Sequence, residues 1–182
     1  TSNNILKMRN SANDGWIDLR TLTGGLTSAA DATINGVTVG KGANSVANNT
    51  VVGESALDAS VSGSANTAIG ASSLTTLTSG AHNTAIGRET LKNTTTASQN
   101  VAVGAESLKL NTTGYNTAIG YQAMVSNTTG YDNVALGRNA LDANTTGLVN
   151  TAIGVDALGS NTTANHNTAV GREALKNTTT GA

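Results

Sequence analysis

The side chains that could support acid, base or metal chemistry are few and widely spaced in this sequence. It contains no Cys, two His, and eleven Asp and Glu residues among 182. His82 and His166 each lie five residues before a recurring glycine, and five repeats separate them. Because one chain in a regular array cannot bring two such distant corners together, we expect no metal site and no cofactor.

Paired carboxylates are the second chemistry to consider, since glycoside hydrolysis needs two of them about 5–10 Å apart around a sugar. The acidic residues are scattered singly, and Arg88-Glu89 and Arg172-Glu173 occupy matching places in distant repeats. That arrangement predicts surface ion pairs. We therefore expect that the chain is not an enzyme. A polysaccharide-cleaving site on the repeat array is the alternative, and a reducing-end assay would reveal it.

Tyrosines provide the one candidate contact site. Tyr115 and Tyr131 occupy nearly matching places in successive repeats, Asp132 follows the second, and Tyr121 is near in sequence. Exposed aromatic rings about one ladder step apart can stack on sugar rings while their hydroxyls stay in water. The sequence therefore predicts a glycan contact at Tyr115, Tyr131 and Asp132. The alternative is that these rings cover loop backbone.

Composition excludes several classes of partner. The net charge is −1, charged residues are 12% and aromatic residues are 2% of the chain. Neither a basic patch for nucleic acid nor an apolar run near the ~20 residues of a membrane span is present. We therefore expect no nucleic-acid partner and no membrane insertion. The composition alone is typical of disordered segments, but the periodicity of its apolar residues argues against disorder.

One repeated motif indicates which elements position these side chains. Nine copies end at a glycine, and the strongest read Asn-Thr-Ala-Ile-Gly. The glycines are Gly40, Gly53, Gly70, Gly87, Gly104, Gly120, Gly137, Gly154 and Gly171. Their spacings are 13, 17, 17, 17, 16, 17, 17 and 17 residues. A fixed period of this size predicts an all-β parallel solenoid, or β-roll, in which each repeat forms one stacked coil.

The residues before each glycine alternate as in a short strand. An Asn column is expected to hydrogen-bond within its turn and to form a side-chain ladder between coils. We expect the glycine to supply a positive φ or a close backbone approach. The motif thus has an Asn, an Ala, an Ile and a Gly column. Their representatives are Asn66, Asn83 and Asn116; Ala118 and Ala152; Ile119 and Ile153; and the glycines named above.

Two features of each repeat leave alternatives open. The Ala column either lets a neighbouring chain approach closely or fills a narrow interior, and we favour the neighbour-facing interpretation. The segment after the glycine carries a Leu column, represented by Leu141. That segment is predicted as a second short strand or a single helical turn, of which we favour the helical turn. The absence of Pro suits strands that must keep every ladder donor.

Assembly is expected because each coil offers only about four apolar side chains, too little burial to offset the ordering of its backbone. Sister copies packed side by side would supply the missing core. Residues 1–33 break the period and are predicted as an N-terminal cap or neck. Trp16 would be its packing anchor, in an alternating strand-like segment. Residues 34–182 are predicted as the repeat shaft of about nine coils.

The Asn-Thr-Ala-Ile-Gly copies resemble the head repeats of trimeric autotransporter adhesins, which form a left-handed parallel β-roll trimer. The longer form, with Asn111-Thr112-Thr113-Gly114 after the Leu segment, is more similar to repeats of bacteriophage tail fibres and tailspikes. The stretch from Met8 to Trp16 resembles a segment at module junctions of such fibres. The resemblance covers about residues 36–181.

The resemblance implies a homotrimeric, extracellular structural protein. The expected function is a structural and adhesive segment of a virion tail fibre, presenting or forming a region that binds a host cell-surface glycan or protein. The alternative is the head domain of a bacterial trimeric adhesin at the cell surface. A solenoid that binds ice or mineral through flat Thr arrays is a further alternative, which we disfavour because the Thr pairs fall in predicted loops.

Overall fold

The structure is a computed structural model that describes residues 7–9, 16–18, 31–34 and 37–179. The first two segments form an antiparallel pair, β1 (Lys7–Arg9) with β2 (Trp16–Asp18), in which Met8 lies opposite Ile17. The strand predicted around Trp16 is thereby confirmed. The packing role of its side chain, and the other cap residues up to residue 30, lie outside the described residues.

A hairpin opens the main sheet. Strands β3 (Ala32–Ile34) and β4 (Val37–Gly40) are antiparallel, and β4 is antiparallel to β5 (Thr50–Gly53). A short 3-10 segment at Ala43–Ser45 joins β4 to β5. The Asp31 carboxylate accepts hydrogen bonds from the backbone N–H groups of Lys41 and Gly42, both at 2.6 Å, and so holds the turn after β4.

From β5 onward every neighbouring pair in this sheet is parallel. The chain returns to the same edge once per repeat, which makes residues 50–179 a β-solenoid. Its remaining strands are β6 (Thr67–Ile69), β7 (Thr84–Ile86), β8 (Val101–Val103), β9 (Thr117–Ile119), β10 (Val134–Leu136), β11 (Thr151–Ile153) and β12 (Thr168–Val170). The described part of the chain therefore has eight parallel strands, β5 to β12, and seven coils that lead from each strand to the next.

The first predicted copy is not a coil. Its strand, β4, runs antiparallel to β5, so the motif that ends at Gly40 belongs to the hairpin. Gly40 also lacks the positive φ that every later glycine of the series adopts. The prediction of about nine equivalent coils is wrong on this point, because a spacing of 13 residues is too short to complete a circuit of 17.

The Leu segment is neither a helical turn nor a strand in residues 54–179. Leu91 has φ 50° and Glu89 has φ 56°, and the same two places are left-handed in every coil from residue 55 to residue 175. Their backbone groups bond to adjacent coils in both directions: Glu89 N–H donates to Ala71 O at 2.9 Å, and Leu91 N–H donates to Ser107 O at 3.1 Å. The favoured helical turn is therefore wrong, because stacking between coils determines this backbone.

The core lies inside each single chain. Ala118 and Leu141 are fully buried, and the equivalent residues of the other coils are buried except Leu175 in the last turn, which is 49% exposed. The alanine column is Ala68, Ala85, Ala102, Ala118, Ala135, Ala152 and Ala169; the leucine column is Leu57, Leu74, Leu91, Leu108, Met124, Leu141 and Leu158. The neighbour-facing interpretation of the alanine column is wrong, since these methyl groups are buried in the core of the chain itself.

Candidate functional site

The glycine column lets the coils stack closely. The two predicted reasons for these glycines, a positive φ and a close backbone approach, are both confirmed. Gly120 has φ 145°, a conformation that other residues rarely adopt. A Cβ atom on Gly120 would lie 2.3 Å from the carbonyl oxygen of Gly137 in the next coil. The other members of the column, Gly70, Gly87, Gly104, Gly137 and Gly154, meet the next glycine in the same way.

The predicted asparagine ladder is confirmed inside the coil. The N–H of Asn83 donates to Oδ1 of Asn66 at 3.0 Å, and its Nδ2 donates to the same oxygen at 3.1 Å and to Ala97 O at 2.9 Å. From Asn66 to Asn150, each Asn of the column thereby ties its strand to the previous coil and to the following loop. The asparagine column is Asn49, Asn66, Asn83, Asn100, Asn116, Asn133, Asn150 and Asn167.

A second buried amide column explains the repeated Asn-Thr-Thr loops. Asn127 Nδ2 donates to Oδ1 of Asn111 at 2.7 Å and to Gly130 O at 2.9 Å. Asn144 and Asn161 repeat the arrangement, and all four side chains are fully buried. These Asn-x-Thr sequences therefore serve turn structure, and their amides are inaccessible to a glycosyltransferase in the folded chain.

The outer surface of the parallel sheet carries Thr, Val, Ile and Leu side chains and no charge. Thr117 and Ile119 point outward on either side of the buried Ala118, and Ile119 is 38% exposed. We call the outward pairs the sheet face: Thr50/Val52, Thr67/Ile69, Thr84/Ile86, Val101/Val103, Thr117/Ile119, Val134/Leu136, Thr151/Ile153 and Thr168/Val170. The sequence pattern did not show which alternate residues would face outward. The Thr pairs lie in loops, as predicted, and six single Thr residues of the strands lie on this face.

Charged residues collect on the side of the coil that follows the glycine. Glu89 Oε2 lies 2.7 Å from Nζ of Lys109 and Oε1 lies 3.1 Å from Nζ of Lys92. Arg88 pairs with Glu106 in the next coil and lies 3.4 Å from Glu89. We call these five residues the charged ladder. The predicted ion pairs Arg88–Glu89 and Arg172–Glu173 are confirmed.

Both carboxylates of the charged ladder are paired with cations. Hydrogen bonds from Lys109 and then Lys92 lower the pKa of Glu89 from 4.5 to about 2. Hydrogen bonds from Gln122 and Arg88 lower the pKa of Glu106, and the bond to Glu89 raises the pKa of Lys109. These ion pairs between coils were not predicted, although Lys and Glu recur at fixed distances from successive glycines and indicate them.

Asp142 and Asp156 are acidic residues of later coils whose charges interact. Burial raises the pKa of Asp142, and the charge of Asp156 adds to this effect. Asp156 is itself held by Arg138 at 3.4 Å and by Asn139 Nδ2 at 3.1 Å. In the part of the chain that the structure describes, no three His, Cys, Asp or Glu residues are placed to hold a metal ion. His82 and His166 are exposed, five coils apart.

The predicted tyrosine site lies on an exposed corner just before the strands. Tyr115 is 61% exposed, Tyr131 is 44% exposed, and Asp132 is exposed. We call these three residues the tyrosine corner. Tyr115 N–H donates to Ser98 O and Val149 N–H donates to Tyr131 O, so both tyrosines belong to one corner of consecutive coils. Tyr121 follows Gly120 and lies beyond the other end of β9, away from this corner.

No described helix has the length and apolar character needed to cross a bilayer. Comparisons of the chain with protein-family models, with curated proteins and with solved structures give no match.

Proposed function

We propose that this chain is a structural and adhesive segment of a homotrimeric fibre, as in a phage tail fibre that presents or forms a host-receptor-binding region. The observation that carries the proposal is the sheet face. It is continuous over eight parallel strands, and Leu136 and Val170 are 43% and 67% exposed on it. Contiguous apolar surfaces of this kind mark interaction sites in soluble proteins.

Another copy of the chain fits the sheet face well. At about 4.8 Å per rung, the eight strands extend over roughly 34 Å, and a sister copy has the same repeat. When copies are arranged around an axis parallel to the stack, their equivalent strands lie at the same height. Side chains such as Ile119 and Leu136 then contact their counterparts in the sister copies at every strand. The face has no charged residue whose burial would need compensation.

Closed threefold packing of the sheet faces would leave the loops and the charged ladder outside. Such a shaft is rigid along its length, because backbone hydrogen bonds join every coil to the next. Three equivalent copies of any weak receptor contact would act together and strengthen attachment through avidity. A cell-surface glycan or protein is the corresponding partner, and the virion surface the corresponding location.

Two other functions remain as candidates. The head of a bacterial adhesin has the same expected architecture, and a membrane anchor in the full gene would favour it, whereas neighbouring virion genes favour the fibre. The outward Thr residues of the sheet face favour a second candidate, a surface that binds an ordered lattice such as ice. That function requires the sheet face to remain open to solvent, so it and the trimer exclude each other.

The chain lacks Cys, which makes single-cysteine chemistry a clean test of the assembly. Thr117→Cys places a thiol on the sheet face, and Thr129→Cys places one on an exposed loop as the matched control. We expect a short trifunctional maleimide to join three chains of the Thr117→Cys protein and to leave the control as single chains. Single chains from both variants would contradict the proposal.

A further inference from the structure

The tyrosine corner coincides with the one irregular coil of the solenoid. The coil from Gly104 to Gly120 has 16 residues, and the six other coils between Gly53 and Gly171 have 17. Asn116 Nδ2 donates to Gly130 O, fourteen residues ahead, whereas Asn100 Nδ2 donates to Thr113 O, thirteen ahead. The missing residue therefore falls in the loop that leads into Tyr115.

This deletion offsets the two tyrosines. Both follow the sequence Asn-Thr-Thr-Gly, so equal coils would stack them in one column. In the structure Tyr115 takes the left-handed position, with φ 62°, and the residue at that position in the next coil is Asp132, with φ 55°. Tyr131 lies one residue earlier. The result is a staggered group of two tyrosines and a carboxylate on adjacent rungs, roughly 5–6 Å apart by strand geometry.

The local backbone does not explain these residue types. A left-handed position favours Gly or Asn, and the equivalent places in other coils hold Ala65, His82, Gln99, Val149 and His166. All three tyrosines of the chain fall between residues 115 and 131. Neither phenolic hydroxyl of the corner has a hydrogen-bond partner within the described residues. Exposed aromatic rings with free hydroxyls are typical of contact surfaces.

The chemistry around the corner selects the ligand class. A pyranose ring has an apolar C–H face that packs on an aromatic ring and a rim of hydroxyls that donate to a carboxylate. Asp132 is the only charged residue at this corner in the two coils that carry the tyrosines, and no Lys or Arg is present there to attract an anionic ligand. The corner continues into Leu148 and the 41% exposed Val149 on the next rung.

We propose that the tyrosine corner binds a neutral oligosaccharide whose successive sugar rings lie along the solenoid axis. Tyr115 and Tyr131 contact consecutive rings, and Asp132 accepts hydrogen bonds from their hydroxyls. The ligand class rests on the proposed function in one respect, which is that this function requires a receptor on a cell surface. The contact itself is complete within one chain, so it does not need the trimer.

Saturation-transfer NMR on the intact chain tests this site, with neutral hexasaccharides of glucose, mannose and galactose as separate probes. We expect transfer to at least one probe, and an affinity at least tenfold weaker for the double variant Tyr115→Ala/Tyr131→Ala. Tyr121→Ala is the matched control, since Tyr121 is 50% exposed but lies away from the corner. Asp132→Asn should weaken binding less than the double variant, because an amide oxygen still accepts a hydrogen bond.

Transfer to none of the probes would overturn the proposal, as would equal binding by the double variant or equal loss in the Tyr121→Ala control. The mass of the same samples, measured by light scattering, tests the trimer independently of sugar binding. A trimer that binds no probe overturns the sugar site alone. A single chain that binds a probe through the tyrosine corner supports the site and overturns the fibre.

Discussion

Asn83 Oδ1 accepts two hydrogen bonds from Asn100, one from the backbone N–H at 3.0 Å and one from Nδ2 at 3.1 Å. This pair is one rung of the asparagine ladder, and both side chains are buried. Asn100→Ala should lower the free energy of unfolding by about 1–3 kcal/mol, because the oxygen of Asn83 and the carbonyl of Thr113 lose donors. Urea unfolding measures the loss. Asn93→Ala, at an exposed site, should change stability by less than about 0.5 kcal/mol.

The glycine column predicts a larger effect at Gly120. Gly120→Ala forces a Cβ to within 2.3 Å of Gly137 O, and the neighbour is backbone that cannot move aside. We expect a loss of about 3 kcal/mol or more from the overlap and the unfavourable φ together. Gly159→Ala is the control, since its nearest heavy atom would be 3.2 Å away. Equal melting temperatures for the two variants would show that the coils do not stack as described.

The alanine column predicts intolerance of larger side chains inside the coil. Ala118→Leu or Ala152→Leu should cost at least about 1–3 kcal/mol by overpacking a narrow core. Ala105→Leu is matched in chemistry but lies in a column that holds Arg88 and Tyr121 in neighbouring coils, so it should be tolerated. Thermal unfolding of the three variants gives the comparison. Unchanged melting of Ala118→Leu would mean that this side chain is not enclosed.

The charged ladder predicts how stability depends on pH. Glu89 has a pKa of about 2 in the folded chain against an ordinary 4.5, so the folded state favours its ionised form. Its contribution is complete above about pH 4.5 and is lost as pH falls toward 2. We expect melting temperature to fall more steeply in this window for the wild type than for Glu89→Gln. Glu54→Gln, at an exposed site, should follow the wild-type curve; identical curves for all three proteins would contradict the ladder.

The sequence predicts the repeat-level features well because each has a local physical cause. Gly120 is needed for its φ and its close neighbour, and Asn83 is placed to bond between coils, so both recur visibly. In Thr-Ala-Ile, however, Thr and Ile share one side, and polarity does not indicate whether that side faces inward. In the structure both point outward, and Ala118 between them points into the interior.

Other features set by contacts between coils, unlike the glycine and asparagine columns, escaped prediction. The segment Gly-Arg-Glu-Ala-Leu-Lys contains good helix formers, yet Glu89 and Leu91 are left-handed because their N–H groups bond to different coils. The same limit applies to Glu89 and Lys109, whose contact spans two coils. The sequence predicts that Tyr115 and Tyr131 occupy nearly matching places, but their one-residue offset depends on where the short loop loses a residue.

The solution mass of the purified chain, measured by light scattering at micromolar concentration, tests the central claim most directly. The account predicts three times the chain mass of 18.1 kDa, and a single-chain mass with retained β-sheet circular dichroism for Ile119→Asp/Leu136→Asp. A folded wild-type protein that stays at 18.1 kDa would contradict packing of the sheet faces and the fibre function built on it.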